Sequence, residues 1–168
     1  TYRDFANQVP VQSYEQMTPY IEKTMKGKQN VLWPSEIIWF SKSSGTTSSR
    51  SKYIPVSEES LEDCHFKGGK DMLSLYVGNY PDSKLFTGKS LSIGGSLSKN
   101  PFNGESESQV GDISAVIMHN LPLWVQFART PSLDVALMSE WESKIERMAN
   151  EVMDENVVSI AGVPTWTI

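Results

Sequence analysis

The feature that most constrains this fold is an alternation of short strand-like runs with helical stretches. Residues 37–40 are a wholly apolar run of strand length, and residues 157–160 form another strand-like run. Residues 91–93 form a brief strand that ends at two glycines, and residues 52–56 form a strand with Pro55 near its end. Strands that alternate with helices favour right-handed crossover connections and parallel pairing. The chain is therefore predicted to be α/β, with a largely parallel sheet and flanking helices.

The first well-marked helix is predicted near the beginning of the chain. Ser13 and Gln16 have the spacing of a capping box, which begins a helical stretch. A short helix is then expected over about 19–26, because Pro19 suits the first turn of a helix and Gly27 suits its end.

A second helix is predicted to begin at Ser57. Its apolar and small residues recur mostly at spacings of three and four, which predicts one buried face: Leu61, Cys64, His65, Gly68, Met72 and Leu75. Gly68 and Gly69 weaken a helix by roughly 1 kcal/mol each relative to alanine. Their presence predicts that another element packs closely against them.

The clearest helix is predicted over 139–155, after a shorter apolar helix that includes residues 113–117. Ser139 and Glu142 have the spacing of a capping box. The helix carries one apolar stripe, formed by Trp141, Ile145, Met148 and Val152. The rest of its surface is mostly acidic and is expected to face solvent.

Composition and charge narrow the function classes. The 168 residues suffice for one well-cored domain, and 39% hydrophobic with 21% charged residues is typical of a globular protein. A net charge of -5 argues against nucleic acid as a partner. A single cysteine and the lack of a bilayer-length apolar run predict a cytoplasmic protein without a membrane partner. The missing initiator Met and the apolar end predict a piece of a longer protein.

One loop carries a pattern suited to anion binding. Residues 41–57 contain three basic side chains, Lys42, Arg50 and Lys52, and no acidic one. Hydroxyls and backbone N–H groups around Gly45 can cradle phosphate oxygens, and a lysine adds a compact cationic donor. The single glycine excludes a Walker A motif and a dinucleotide fingerprint. On composition alone, a solvated connection explains this loop better than an anion site does.

The order of residues in this loop adds a resemblance. The run Ser43-Ser44-Gly45-Thr46-Thr47, followed by Lys52 and Ile54-Pro55, resembles the phosphate loop of adenylate-forming enzymes. A lysine seven residues after the glycine is similar to the Gretchen Hagen 3 family of auxin-responsive proteins. Ser49 departs from the plant members, which usually have glycine there. Other stretches resemble the bacterial members: Tyr2-Arg3-Asp4-Phe5, Leu32-Trp33-Pro34-Ser35-Glu36-Ile37, Gly68-Gly69-Lys70-Asp71 and Gly162-Val163-Pro164.

The resemblance implies an acyl-acid amido synthetase, which joins a carboxylic acid to an amino acid through an acyl-adenylate. It implies ATP and Mg²⁺ as cofactors, with the metal arriving on the nucleotide. The chain would be the N-terminal portion, 1–168, of the adenylating domain, and the ribose and adenine contacts would lie after Ile168. Lys52 is the implied catalytic residue. The implied phosphate-binding residues are Ser43, Ser44, Gly45, Thr46, Thr47, Ser48 and Lys52. A non-catalytic phosphate-binding module and an acyl-CoA ligase are the alternatives.

The acyl group is expected beyond the carboxyl ends of the strands, where ligands of parallel sheets bind. The candidate substrate residues follow predicted strands and are Gly94, Gly95, Pro164 and Trp166. The apolar segment 118–127 is a further candidate for the pocket wall, although a core role explains it equally well. Cys64, His65 and His119 lack the spacing of a nucleophilic pair or a metal site, so no metal ligands are predicted.

Overall fold

A computed structural model describes residues 1–43, 51–102 and 107–167, without the side chain of Thr165. Five predicted phosphate-binding residues lie outside these ranges: Ser44, Gly45, Thr46, Thr47 and Ser48. The strands are β1 (Trp39–Lys42), β2 (Tyr53–Val56), β3 (Lys89–Ile93), β4 (Leu97–Lys99), β5 (Gln109–Gly111), β6 (Arg129–Thr130) and β7 (Val157–Gly162). The helices are α1 (Tyr2–Gln8), α2 (Tyr14–Met25), α3 (Lys67–Asn79), α4 (Ile113–Asn120), α5 (Leu123–Phe127), α6 (Leu133–Ala136), α7 (Trp141–Val152) and α8 (Pro164–Thr167), and a π-helical turn over Ser60–Phe66 leads into α3.

The strands form two sheets, where the sequence predicted one. The first has the order β2-β1-β5-β4 and is mixed: β1 pairs parallel with β5, whereas β2 and β4 pair antiparallel with their neighbours. The second has the order β6-β3-β7 and is parallel throughout. The α/β class is thus confirmed, while the parallel sheet is only the smaller of the two. Pro55 lies in β2, an edge strand, where a missing N–H is tolerated.

The core is packed on both faces of the first sheet. Phe40 is fully buried in a cluster with Ile21, Met25 and Val110, on the side covered by α2. Its neighbour Trp39 packs in a second cluster on the opposite side. Adjacent strand residues point to opposite faces, so one apolar run supplies both layers.

The helix predicted over 19–26 begins earlier than expected. Ser13 and Gln16 form the predicted capping box, and α2 runs without a break through Pro19. Tyr14 and Met17 pack on the same core as Ile21, and this packing outweighs the one backbone hydrogen bond that a proline lacks. Gly27, with a φ of 91°, ends the helix as predicted.

The buried face predicted for the helix after Ser57 is wrong for all but its first residue. Leu61 is buried, but Cys64, Met72 and Leu75 are exposed. Apart from the chain neighbours and the backbone of the helix itself, no described atom lies within 4 Å of a Cβ placed on Gly68 or Gly69, so the predicted close packing is absent from the described residues. Periodicity identifies an apolar helix face but does not identify what covers it.

Candidate functional site

A cavity of about 780 Å³ opens at the carboxyl end of the parallel sheet. Its floor begins at Ile93, the last residue of β3, and one wall is helix α7. Helix α8, which follows β7 by one residue, contributes Trp166. The lining residues are Ile93, Gly94, Gly95, Ser96, Met138, Ser139, Trp141, Lys144, Ile145, Met148, Trp166 and Thr167. This is the position at which α/β sheets commonly bind ligands.

Neighbouring atoms crowd the turn at Gly94 and Gly95, and at Gly95 they leave no room for a side chain. A Cβ on Gly95 would lie 2.3 Å from Asp112 Cβ, and one on Gly94 would lie 2.4 Å from Met118 Cε. The Gly95 N–H donates a hydrogen bond of 3.0 Å to Ser114 Oγ at the start of α4. Helix α4 therefore holds this turn at the cavity edge, with both carbonyl groups available to other donors.

Lys144 of α7 supplies that donor. Its Nζ donates hydrogen bonds of 2.7 Å to the Gly94 carbonyl and 3.2 Å to the Gly95 carbonyl. The side chain is only 1% exposed, and it forms no ion pair in the part of the chain that the structure describes. Burial lowers the pKa of this ammonium group below its usual value.

Two tryptophans form the aromatic wall of the cavity. The Trp141 and Trp166 rings meet edge to face, with centroids 6.1 Å apart and planes inclined by 63°. Lys144 Nζ lies 5.6 Å from the Trp141 ring centroid, within the range of a cation–π interaction. The cavity therefore combines an aromatic and aliphatic surface with one buried cation.

Two hydrogen bonds join Ser43 and Lys52, the first and last residues of the predicted phosphate loop. Ser43 N–H donates to the Lys52 carbonyl at 2.9 Å, and Lys52 N–H donates to Ser43 Oγ at 3.2 Å. These bonds continue the hairpin of β1 and β2 by one pair. The two ends of the intervening segment therefore start from neighbouring points.

The Lys52 side chain is half-buried against helix α2. Its Nζ lies 5.1 Å from the Tyr14 ring centroid. The Tyr14 hydroxyl donates to the Tyr53 carbonyl at 3.2 Å and accepts from its N–H at 2.8 Å, which fixes the start of β2. The pKa of the exposed Glu15 carboxyl is lowered chiefly by hydrogen bonds from its own N–H and from Ser13, with a smaller contribution from the Lys52 charge.

The structure brings some predicted site residues together and separates others. Gly94, Gly95 and Trp166 share the cavity, as their positions after two parallel strands suggested. Pro164 begins α8 but is exposed and does not line the cavity. The segment 118–127 contributes no lining residue among those described, and most of α5 is exposed.

Sequence reasoning missed Lys144 and the role of Trp141. The signal was present, because Lys144 lies three residues after Trp141 and four before Met148, within the apolar stripe of α7. In the structure, Trp141 and Ile145 of this stripe are exposed at the cavity. The predicted capping residue also shifts by one position, since Glu140 rather than Ser139 accepts the hydrogen bonds that cap α7.

The described residues contain no group of three or more His, Cys, Asp or Glu side chains that could hold a metal ion. None of the helices in the described ranges is long and apolar enough to cross a bilayer.

Comparison with known proteins identifies the family. The family model described as GH3 family N-terminal domain matches residues 1–166, nearly the whole chain. No curated protein matches the chain. The match confirms the predicted resemblance to the Gretchen Hagen 3 family.

Proposed function

This chain belongs to the GH3 family, the Gretchen Hagen 3 family, and from that premise we propose that it forms part of an acyl-acid amido synthetase. The family match over residues 1–166 is the observation that carries this proposal. The whole protein would adenylate a carboxylic acid with ATP and then join the acyl group to an amino acid.

The chemistry requires two displacements. In the first, a carboxylate oxygen attacks the α-phosphorus of ATP, and the bond to pyrophosphate breaks. In the second, an amine nitrogen attacks the acyl carbon, the bond to AMP oxygen breaks and the nitrogen loses a proton. The protein contributes mainly by holding two anions together and by stabilising charge with positioned donors.

The phosphates of ATP are assigned to the loop that begins at Ser43 and ends at Lys52. Its hydroxyl-rich composition and the absence of acid over residues 41–57 support this assignment. Lys52 lies at the hydrogen-bonded base of the loop, which supports its assignment as the cationic contact of bound phosphate. Mg²⁺ would supply further charge neutralisation on the phosphates, and ATP itself would carry it.

The acyl group is assigned to the cavity at the end of β3. Its position at the carboxyl edge of the parallel sheet and its aromatic wall support this assignment. Gly94, Gly95 and Trp166 are then substrate-binding residues.

The test is pyrophosphate release by the whole protein over a panel of carboxylic acids, with and without amino acids and with coenzyme A as an alternative acceptor. Acid-dependent pyrophosphate release together with an amide product is the expected result. A thioester product in place of the amide would identify an acyl-CoA ligase. Nucleotide binding without pyrophosphate release from any acid would identify a binding module and overturn the proposal.

A further inference from the structure

Lys144 carries a buried positive charge that has no counter-ion among the described residues. Its ammonium group is almost fully buried and forms no ion pair within those ranges. The nearby acids have other partners: Asp112 accepts from the Ser114 N–H as the cap of α4, and Glu140 caps α7. A buried charge without a counter-ion is costly, so an anion beside it would be bound favourably.

The hydrogen bonds of Lys144 leave one donor for such an anion. An ammonium group has three N–H donors, and the carbonyls of Gly94 and Gly95 accept two of them. Lys144 also lines the cavity, beside the rings of Trp141 and Trp166. One cationic donor in a mostly apolar cavity suits a single carboxylate attached to an apolar group. A triphosphate would need many more donors.

We propose that Lys144 is the residue that binds the carboxylate of the acid substrate, in the cavity walled by Trp141 and Trp166. The assignment rests on the proposed function for its place in catalysis, but not for binding itself. Lys144 would fix the carboxylate at the carboxyl end of β3 and offset part of its charge. Partial neutralisation favours its approach to the triphosphate, since like charges repel.

The experiment is calorimetric titration of the whole protein, without ATP, with 2-naphthoate and with its neutral counterpart 2-naphthamide. Lys144→Met retains the length and burial of the side chain but removes its charge. Lys144→Gln retains N–H donors for the two glycine carbonyls. Lys70→Met, which changes an exposed lysine of α3, is the matched control.

The expected result is that wild type and Lys70→Met prefer naphthoate over naphthamide. Both Lys144 variants should lose roughly ten- to a hundredfold in naphthoate affinity and keep their naphthamide affinity, because a single charged hydrogen bond is removed. An equal loss for both ligands would show that Lys144 only supports the Gly94–Gly95 turn, and would overturn the proposal. Failure of wild type to bind naphthoate would overturn it too.

The same preparations separate this inference from the proposed function. If the protein releases pyrophosphate but the Lys144 variants prefer naphthoate as strongly as wild type does, the assignment of Lys144 is rejected and the proposed synthetase function is retained. Charge-dependent naphthoate binding in a protein that releases no pyrophosphate from any acid would retain the site and reject the synthetase.

Discussion

Lys52 and Lys144 are each assigned to a proposed ligand, and they differ in burial and in the groups that they contact. Lys52 is half-buried, begins at the base of a polar loop and rests on the Tyr14 ring. Lys144 is buried and held by two backbone carbonyls. A lysine with rotamer freedom suits phosphates whose charge changes during reaction, whereas a fixed one suits a group that must be positioned.

Replacing Lys52 with alanine is expected to lower kcat/KM for ATP-dependent adenylation by roughly ten- to a thousandfold, since a charged hydrogen bond in a partly dry site is lost. Lys52→Arg should restore only part of the rate, because a planar guanidinium does not reproduce a compact ammonium. Pyrophosphate release by the whole protein measures both effects.

Lys42→Ala serves as the matched control for Lys52. Lys42 is exposed on the paired strand β1, so its removal changes the same local charge without removing the proposed contact. Wild-type rates in Lys52→Ala, with an unchanged thermal melt, would remove Lys52 from the site.

Trp166→Ala is expected to raise KM for the acid several-fold and to leave KM for ATP nearly unchanged, because the cavity loses an aromatic wall. Steady-state pyrophosphate release at varied acid and varied ATP measures the two constants. Trp124→Ala provides the control, since Trp124 is 73% exposed on α5 and does not line the cavity. Equal rises in both KM values would show that Trp166 only stabilises the fold.

At the scale of elements, two Gly-Gly pairs that look alike in the sequence differ in how closely other residues pack against them. Gly94 and Gly95 connect β3 to β4 and press against α4, whereas Gly68 and Gly69 begin the exposed helix α3. The turn is tight because α4 supplies both Asp112 and Ser114 to it. The apolar face of α3 meets no comparable partner in the described ranges.

Gly95→Ala and Gly68→Ala are therefore expected to change stability in opposite directions. The first should destabilise by about 1–3 kcal/mol, because its Cβ overlaps Asp112 Cβ. The second should stabilise by up to about 1 kcal/mol, since alanine is the better helix former and nothing described obstructs it. Urea unfolding measures both. A destabilising Gly68→Ala would show that a segment outside the described ranges packs on α3.

At the scale of the whole molecule, each of the two proposed binding sites is attached to a different sheet. The first sheet carries the main core and holds the base of the proposed phosphate loop between β1 and β2. The second has at its carboxyl edge the cavity to which the acyl group is assigned. Helix α4 follows β5 of the first sheet and packs against the Gly94–Gly95 turn after β3 of the second, so it joins both parts.

The 168-residue chain by itself is expected to form no amide. The matching family model describes an N-terminal domain, and the resemblance places the ribose and adenine contacts of the family elsewhere. Assays of the purified chain and of the whole protein, with the same acid, amino acid and ATP, test this expectation. Amide formation by the chain alone would contradict it.

Local patterns in the sequence determined a large part of this structure. The Ser13 capping box, the Gly27 stop, strands β3 and β7 and the edge position of Pro55 all follow from interactions within a few positions along the chain. Backbone propensity and capping act over that short range. The motif that indicated the family is likewise a short local pattern.

Only the tertiary structure decided which apolar faces are covered. The stripe on α7 and the face after Ser57 have the same helical spacing, yet one borders a cavity and the other is exposed. Lys144 became a candidate because the Gly94–Gly95 turn, some fifty residues away in sequence, places two carbonyls beside its ammonium group. Burial and charge compensation depend on contacts between segments that are distant in sequence. The periodic pattern of one segment does not identify the segment that packs against it.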